Sequence, residues 1–193
     1  MSGGMPGSRP AVCSAFQFYT MNVLELFKPI TAFVFDVDGV LTDGTVLVLD
    51  GGLQARRMNI KDGFALQMAL KKGYRVKIIS GGNSPEVADR LEKLGVKDIS
   101  MSVLDKKSFI EAFTRDNQIS REKVLYMGDD LPDIPAMKAV GLACCPADAV
   151  QEVKEVVQYI SPLKGGEACV REVIEKVLRL NDHWNYSEQV ASR

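Results

Sequence analysis

The chain has 193 residues, 46% of them hydrophobic and 25% charged, with a formal net charge of −1. That length suits one domain with a substantial core and is short for two. Near-neutral charge leaves no electrostatic footprint for nucleic acid or an anionic membrane, and no apolar run approaches the ~20 residues of a membrane-spanning helix.

In chain order, residues 1–20 are rich in Gly, Ser and Pro and bury little surface. They read as a loosely held extension ahead of a candidate start at Met21, with a secretory leader as the alternative. "TAFVFDV" is then a near-continuous apolar run that suits a strand covered on both faces. "TVLVLDGGLQARRM" predicts a β-hairpin turning at Asp50-Gly51-Gly52, and "DGFALQMALKKG" a helix stopped at Gly73. "YRVKIIS" is a second buried strand. The helix "SPEVADRLEKLG" follows, with Ser84 as N-cap, Pro85 in its first turn and Gly95 as stop.

"KDISMSV" predicts a short strand, "DKKSFIEAFTRDNQ" a helix, "KVLYMGDD" a strand ending in acids, and "DIPAMKAVG" a short helix. "LACC" and "VQYIS" are short strands on either side of the helical "DAVQEVKEVV", and "EACVREVIEKVLRL" is a closing amphipathic helix. Strands alternating with helices of this length imply a parallel sheet with helices on both faces, a three-layer α/β domain over residues 21–182 with a polar tail at 183–193.

Two negatives narrow the chemistry. Cys13, Cys144, Cys145 and Cys169 show neither a disulfide framework nor zinc-type spacing, so they read as free thiols of a reducing cytoplasm. His183, the single histidine, lies in the polar tail, which leaves little material for a catalytic triad or a histidine-rich metal site. Acid-base chemistry here runs on carboxylates or lysine.

In open α/β sheets, ligands bind at the carboxyl ends of the strands. Those ends carry Asp36 and Asp38, then Ser80 and Gly81, then Asp129 and Asp130 with Asp133 close behind, while Asp105 and Lys106 open a helix. Converging carboxylates resist ionisation unless a cation shares the site, and a hard divalent ion such as Mg²⁺ is the economical partner. The hydroxyl, the glycine-flanked amides and the lysine suit a phosphate. Each signal alone is weak, since Asp-x-Asp is commonly a solvated loop and a lone lysine surface charge. Together, at successive strand ends, they point to phosphoryl transfer, with one aspartate attacking phosphorus and a second moving the proton.

The segments "FDVDGVLTDG", "IISGG", "DKK" and "GDDLPDIPAM" resemble the four motifs of the haloacid dehalogenase (HAD) superfamily of phosphohydrolases, over about Thr31 to Leu180. The resemblance implies a Rossmann-like HAD fold, with Asp36 as nucleophile and Asp38 as acid/base. It implies Ser80 and Lys106 on the phosphoryl group, and Mg²⁺ held by Asp36, Asp129 and the Asp38 carbonyl. Asp133, matching the trailing acid of the fourth motif, would orient Lys106 or a metal-bound water.

Only the hairpin fills the gap after the first motif, so no cap domain is expected and a neighbouring subunit is the natural cover. This capless pattern, with "MNIKDGFALQ" and "KGGEACVREVIEKVL", is similar to the phosphatases of 3-deoxy-D-manno-octulosonate (KDO) 8-phosphate, which are tetramers serving lipopolysaccharide synthesis in the bacterial cytoplasm. The resemblance implies substrate contacts from Asn59, Ile60, Lys61, Asp62 and Gly63, from Gly81 and Arg90, and from Asp38 and Lys106.

Two departures stand out: Gly82 and Gln67 occupy positions where many family members carry arginine. Arg56 and Arg57 are the candidates to compensate, against a reading of both as solvent-facing charge. The competing functions are a sister phosphatase of nine-carbon keto-deoxy sugar acid 9-phosphates and a non-catalytic oligomerisation module. Retention of Asp36, Asp38, Lys106 and Asp129 together argues against the module.

Overall fold

The computed structural model describes residues 22–185, so the expected extension at 1–20, Cys13 and most of the polar tail lie outside the described residues. Eight strands are β1 (Ala32–Phe35), β2 (Leu47–Val48), β3 (Gln54–Ala55), β4 (Arg75–Ile79), β5 (Asp98–Ser100), β6 (Val124–Met127), β7 (Leu142–Cys145) and β8 (Tyr159–Ile160). Among the described residues the seven α-helices are α1 (Leu24–Phe27), α2 (Ile60–Lys71), α3 (Pro85–Lys93), α4 (Lys106–Asp116), α5 (Ile134–Met137), α6 (Gln151–Lys154) and α7 (Cys169–Leu180). Helix α1 was not expected, and "DAVQEVKEVV" forms helix only over Gln151–Lys154.

Six strands make one sheet in the order β5-β4-β1-β6-β7-β8, and every pairing in it is parallel. The alternation of side chains along β1 builds both faces. Phe33 and Phe35 join a core with α2, α3 and α7, while Ala32 and Val34 join a second core with α4, α5 and α6. All four β1 residues are completely buried, as a strand covered on both faces requires.

The chain runs outward from β1 through β4 to β5, then returns past β1 to start the other half at β6. The crevice between the carboxyl ends of β1 and β6 is therefore the topological switch point, where this class of sheet binds ligands. Phe35 pairs with Met127, and the Asp36 N–H extends the ladder by donating to the Met127 carbonyl at 3.0 Å. The expected hairpin is present but short, with β2 and β3 antiparallel and two residues each. Between β1 and β4 there is no cap domain, only this hairpin and α2.

Candidate active site

The loop after β1 is pinned from within. The Thr42 hydroxyl donates to the Val37 carbonyl and accepts from the Gly39 N–H, and Thr42 is completely buried. Gly39 sits at φ +78°, and a side chain there would collide with the Asp129 carboxylate, so the two loops meet only because this residue is glycine. Asp36 and Asp129 are thereby brought from two strand ends to one place.

Carboxylate oxygens of Asp36, Asp129 and Asp133 all lie within 4.8 Å of one another. Lys106 sits among them, its Nζ 3.0 Å from Asp36 Oδ1 and 2.7 Å from Asp133 Oδ1. Burial, followed by the charge of Asp133, pushes the Asp36 carboxyl up to about 7. Burial, then Asp36, Asp133 and Asp130, pushes Asp129 to about 8. Burial alone would lower Lys106, but Asp36 and Asp133 more than offset it and its pKa rises. Among the described residues no cation pairs with the Asp129 carboxylate. The cluster thus holds more negative charge than its lysine neutralises, and an all-oxygen donor set of this kind fits a hard divalent cation.

Asp133 plays a different part from Asp36 and Asp129. Its Oδ1 accepts from Lys106 and from the Tyr126 hydroxyl at 2.6 Å, and its Oδ2 accepts from the Asp129 and Asp130 N–H groups. With both oxygens occupied and the residue 1% exposed, it braces Lys106 and the Asp129 loop. Tyr126 was missed in the sequence. Its signal was a hydroxyl-bearing residue inside an otherwise apolar buried strand. Ser80 is buried beyond the end of β4, and its Oγ accepts from the Gly82 N–H at 3.1 Å, which shapes the Ser80-Gly81-Gly82 turn.

Comparison with known proteins identifies the family. A family model described as haloacid dehalogenase-like hydrolase matches residues 95–172, the part that contains Lys106, Asp129 and Asp133. The 3-deoxy-D-manno-octulosonate 8-phosphate phosphatases of Yersinia pestis and Escherichia coli are 31% and 32% identical to the chain. The alignments cover 83% and 81% of it, and 86% and 84% of those proteins. The chain belongs to the haloacid dehalogenase-like hydrolase family. A solved structure of the Moraxella catarrhalis phosphatase, in complex with magnesium, phosphate and KDO, matches this member with a TM-score of 0.80 at 31% identity. That match covers 83% of this chain and 93% of the other.

The rest of the expected site divides in this HAD phosphatase. Arg56 from the hairpin end reaches the first motif, its Nε 2.6 Å from Asp38 Oδ1, and its side chain is only 9% exposed. Arg57 instead is 75% exposed and pairs with Asp43 at 3.0 Å, the solvent-facing reading. Arg90 lines a cleft together with Arg56. Gly81 is exposed in the turn after β4, and Gly63 lets α2 pack against Leu94 beside the Arg90 guanidinium.

Asn59 caps α2 by accepting from the Lys61 N–H, and its amide donates to the Gly166 carbonyl. Ile60 is 76% exposed, and Lys61 lines a different groove with residues of α7. Ser84 occupies the N-cap position of α3 without making the expected side-chain cap.

Asp62 is a correction. It is 2% exposed, and its Oδ1 accepts from the Arg171 N–H at 2.7 Å, so it ties α2 to the first turn of α7 and is closed to a substrate. Burial pushes its carboxyl up to about 7, from 3.8. A raised carboxyl pKa favours the folded state below about 4, and that advantage is lost as pH climbs through about 7. Asp62→Asn, which keeps the acceptor without the charge, is expected to raise the melting temperature at pH 8 and to leave it little changed at pH 4.5. Thermal melts at the two pH values check this. His183 is likewise less isolated than its sequence position suggests: its Nδ1 lies 2.9 Å from the Tyr74 hydroxyl, and Trp184 beside it is buried against Phe64.

Proposed function

We propose that the protein is a cytoplasmic, Mg²⁺-dependent phosphatase of an acidic keto-deoxy sugar phosphate, KDO 8-phosphate being the preferred candidate, acting in lipopolysaccharide precursor synthesis. The observation that carries the chemistry is Lys106 Nζ within 3.0 Å of Asp36 Oδ1 in a buried, over-charged carboxylate cluster. The substrate is supported by the chain's similarity to KDO 8-phosphate phosphatases.

Asp36 attacks phosphorus, and the bond to the sugar oxygen breaks as Asp38 delivers its proton to that oxygen. Asp38 then takes a proton from water, whose oxygen attacks the aspartyl-phosphate and frees phosphate and Asp36. Lys106 and Ser80 hold the phosphoryl oxygens through the transfer. Asp36, Asp129 and the Asp38 carbonyl are the residues that would hold Mg²⁺. The ion would neutralise their charge and polarise the phosphoryl group.

Leu47, Val48 and Leu53 on the hairpin are 62%, 71% and 61% exposed, an apolar patch that favours burial against other copies of the chain. We infer a homotetramer whose neighbouring subunits cover the otherwise open site.

Phosphate release with Mg²⁺ across eight- and nine-carbon keto-deoxy sugar acid phosphates and neutral phosphomonoesters tests the reading. The eight-carbon acid is expected to be turned over with the highest kcat/KM, and chelation of divalent ions to stop turnover. Equal rates on neutral esters would overturn the specificity, and light scattering at monomer mass would overturn the shared cover.

A further inference from the structure

The arginine absent at Gly82 has a geometric substitute. A Cβ built on Gly82 would stand 3.1 Å from Asp38 Oδ2, 3.6 Å from Ser80 Oγ and 3.9 Å from Arg56 Nη2. The Arg56 guanidinium therefore occupies the neighbourhood into which a longer residue at position 82 would grow, at the edge of the phosphate site. Its Nε is used by Asp38, whereas its two Nη groups have no acceptor among the described residues, although the side chain is only 9% exposed. Two donor groups without a protein acceptor at the edge of a cleft are placed to receive a ligand's oxygens.

What it faces is a cleft of about 450 Å³ between the hairpin and α3. Small-ligand sites usually have this volume. Arg90 lines it without an ion-pair partner among the described residues. Ser84 is a further lining residue, and its hydroxyl is buried without a hydrogen-bond partner. The Nη edge of Arg56 on the hairpin side and the Arg90 guanidinium on the α3 side describe a site for a planar anion. Glu86, the one acid lining the cleft, is exposed to solvent.

We propose that Arg56 is a specificity-determining residue that binds the substrate's carboxylate in this cleft together with Arg90, from the hairpin instead of from position 82. The inference rests on the acidic-sugar reading above and goes further by naming where the acid is held. It also explains why glycine suits position 82, since a second guanidinium there would crowd the first.

Steady-state kinetics on the eight-carbon sugar acid phosphate and on p-nitrophenyl phosphate, which has no carboxylate, separate the possibilities. Arg56→Ala is expected to lose about 10- to 100-fold more kcat/KM on the acid than on the aryl phosphate, chiefly through KM. Adding Gly82→Arg to that variant is expected to return most of the lost discrimination. Calorimetric binding of the phosphate-free sugar acid is expected to weaken in parallel.

Equal losses on both substrates, with unchanged binding of the free acid, would overturn the inference and leave Arg56 as a positioning residue for Asp38. A wild-type protein indifferent to the sugar acid would overturn the substrate reading and this inference together. A wild-type preference that survives Arg56→Ala overturns the inference alone. Where Arg56→Ala does not fold, Arg56→Lys supplies the same comparison, with an expected discrimination loss of roughly 3- to 10-fold because lysine lacks the fork. Arg56→Lys with unchanged discrimination would count against the proposal.

Discussion

Asp36→Asn is expected to lower phosphatase activity by at least about 10⁴-fold, because the amide cannot attack phosphorus in place of the proposed nucleophile. The same change is expected to leave the fold intact. Burial, then Asp133, hold the Asp36 carboxyl at about 7 against 3.8 for an unstrained group. Ionising it in the folded protein is therefore unfavourable, a cost absent below about pH 4 and complete above about pH 7. Asparagine removes that cost, and Lys106 keeps Asp133 as its partner at 2.7 Å. With divalent ions chelated, the melting temperature of Asp36→Asn at pH 8 should equal or exceed that of the unmodified chain, and the difference should grow from pH 4 to pH 7. Loss of activity with gain of stability marks a charge kept for chemistry.

Asp133→Ala is expected to damage both properties. The substitution strips one partner from buried Lys106 and leaves the Tyr126 hydroxyl and the Asp129 and Asp130 N–H groups without their acceptor. Removing one member of a buried charged network typically costs about 3–5 kcal/mol. Urea denaturation should show a loss in that range. In the protein that remains folded, Lys106 and the Asp129 loop would lose their placement, and kcat is expected to fall by about 10²-fold. Asp133→Asn, which still accepts hydrogen bonds but cannot neutralise Lys106, should fall between the two. An Asp133→Ala protein of full stability would contradict the bracing role.

Much of this was legible because local patterns carried it. "AFVF" is apolar at every position since both faces of β1 are covered, and the acids follow immediately at its end. The order of the motifs along the chain then sufficed to collect them at one sheet edge. The less legible features depended on partners distant in the chain. Asp62 looked like part of a substrate loop because its true partner, the Arg171 N–H, lies 109 positions away. His183 looked stranded in a polar tail for the same reason, its Tyr74 partner being equally remote. Arg56 and Arg57 are adjacent and chemically identical just beyond a two-residue strand, yet one turns inward to Asp38 and the other outward to solvent and Asp43, a choice their residue type does not reveal. Helix α6 covers only Gln151–Lys154, with Val153 its one buried side chain.

In the proposed mechanism Asp36 carries the phosphoryl group. Asp38→Ala should let it accumulate, since p-nitrophenolate leaves without a proton while hydrolysis of the aspartyl-phosphate still lacks its base. Acid quenching of that variant during turnover of p-nitrophenyl phosphate, followed by mass spectrometry, is predicted to show one phosphoryl group on the peptide containing Asp36, and none when Asp36→Asn is added. Phosphate release from the Asp38→Ala protein with no protein-bound phosphoryl group above the Asp36→Asn background would rule out Asp36 as the carrier.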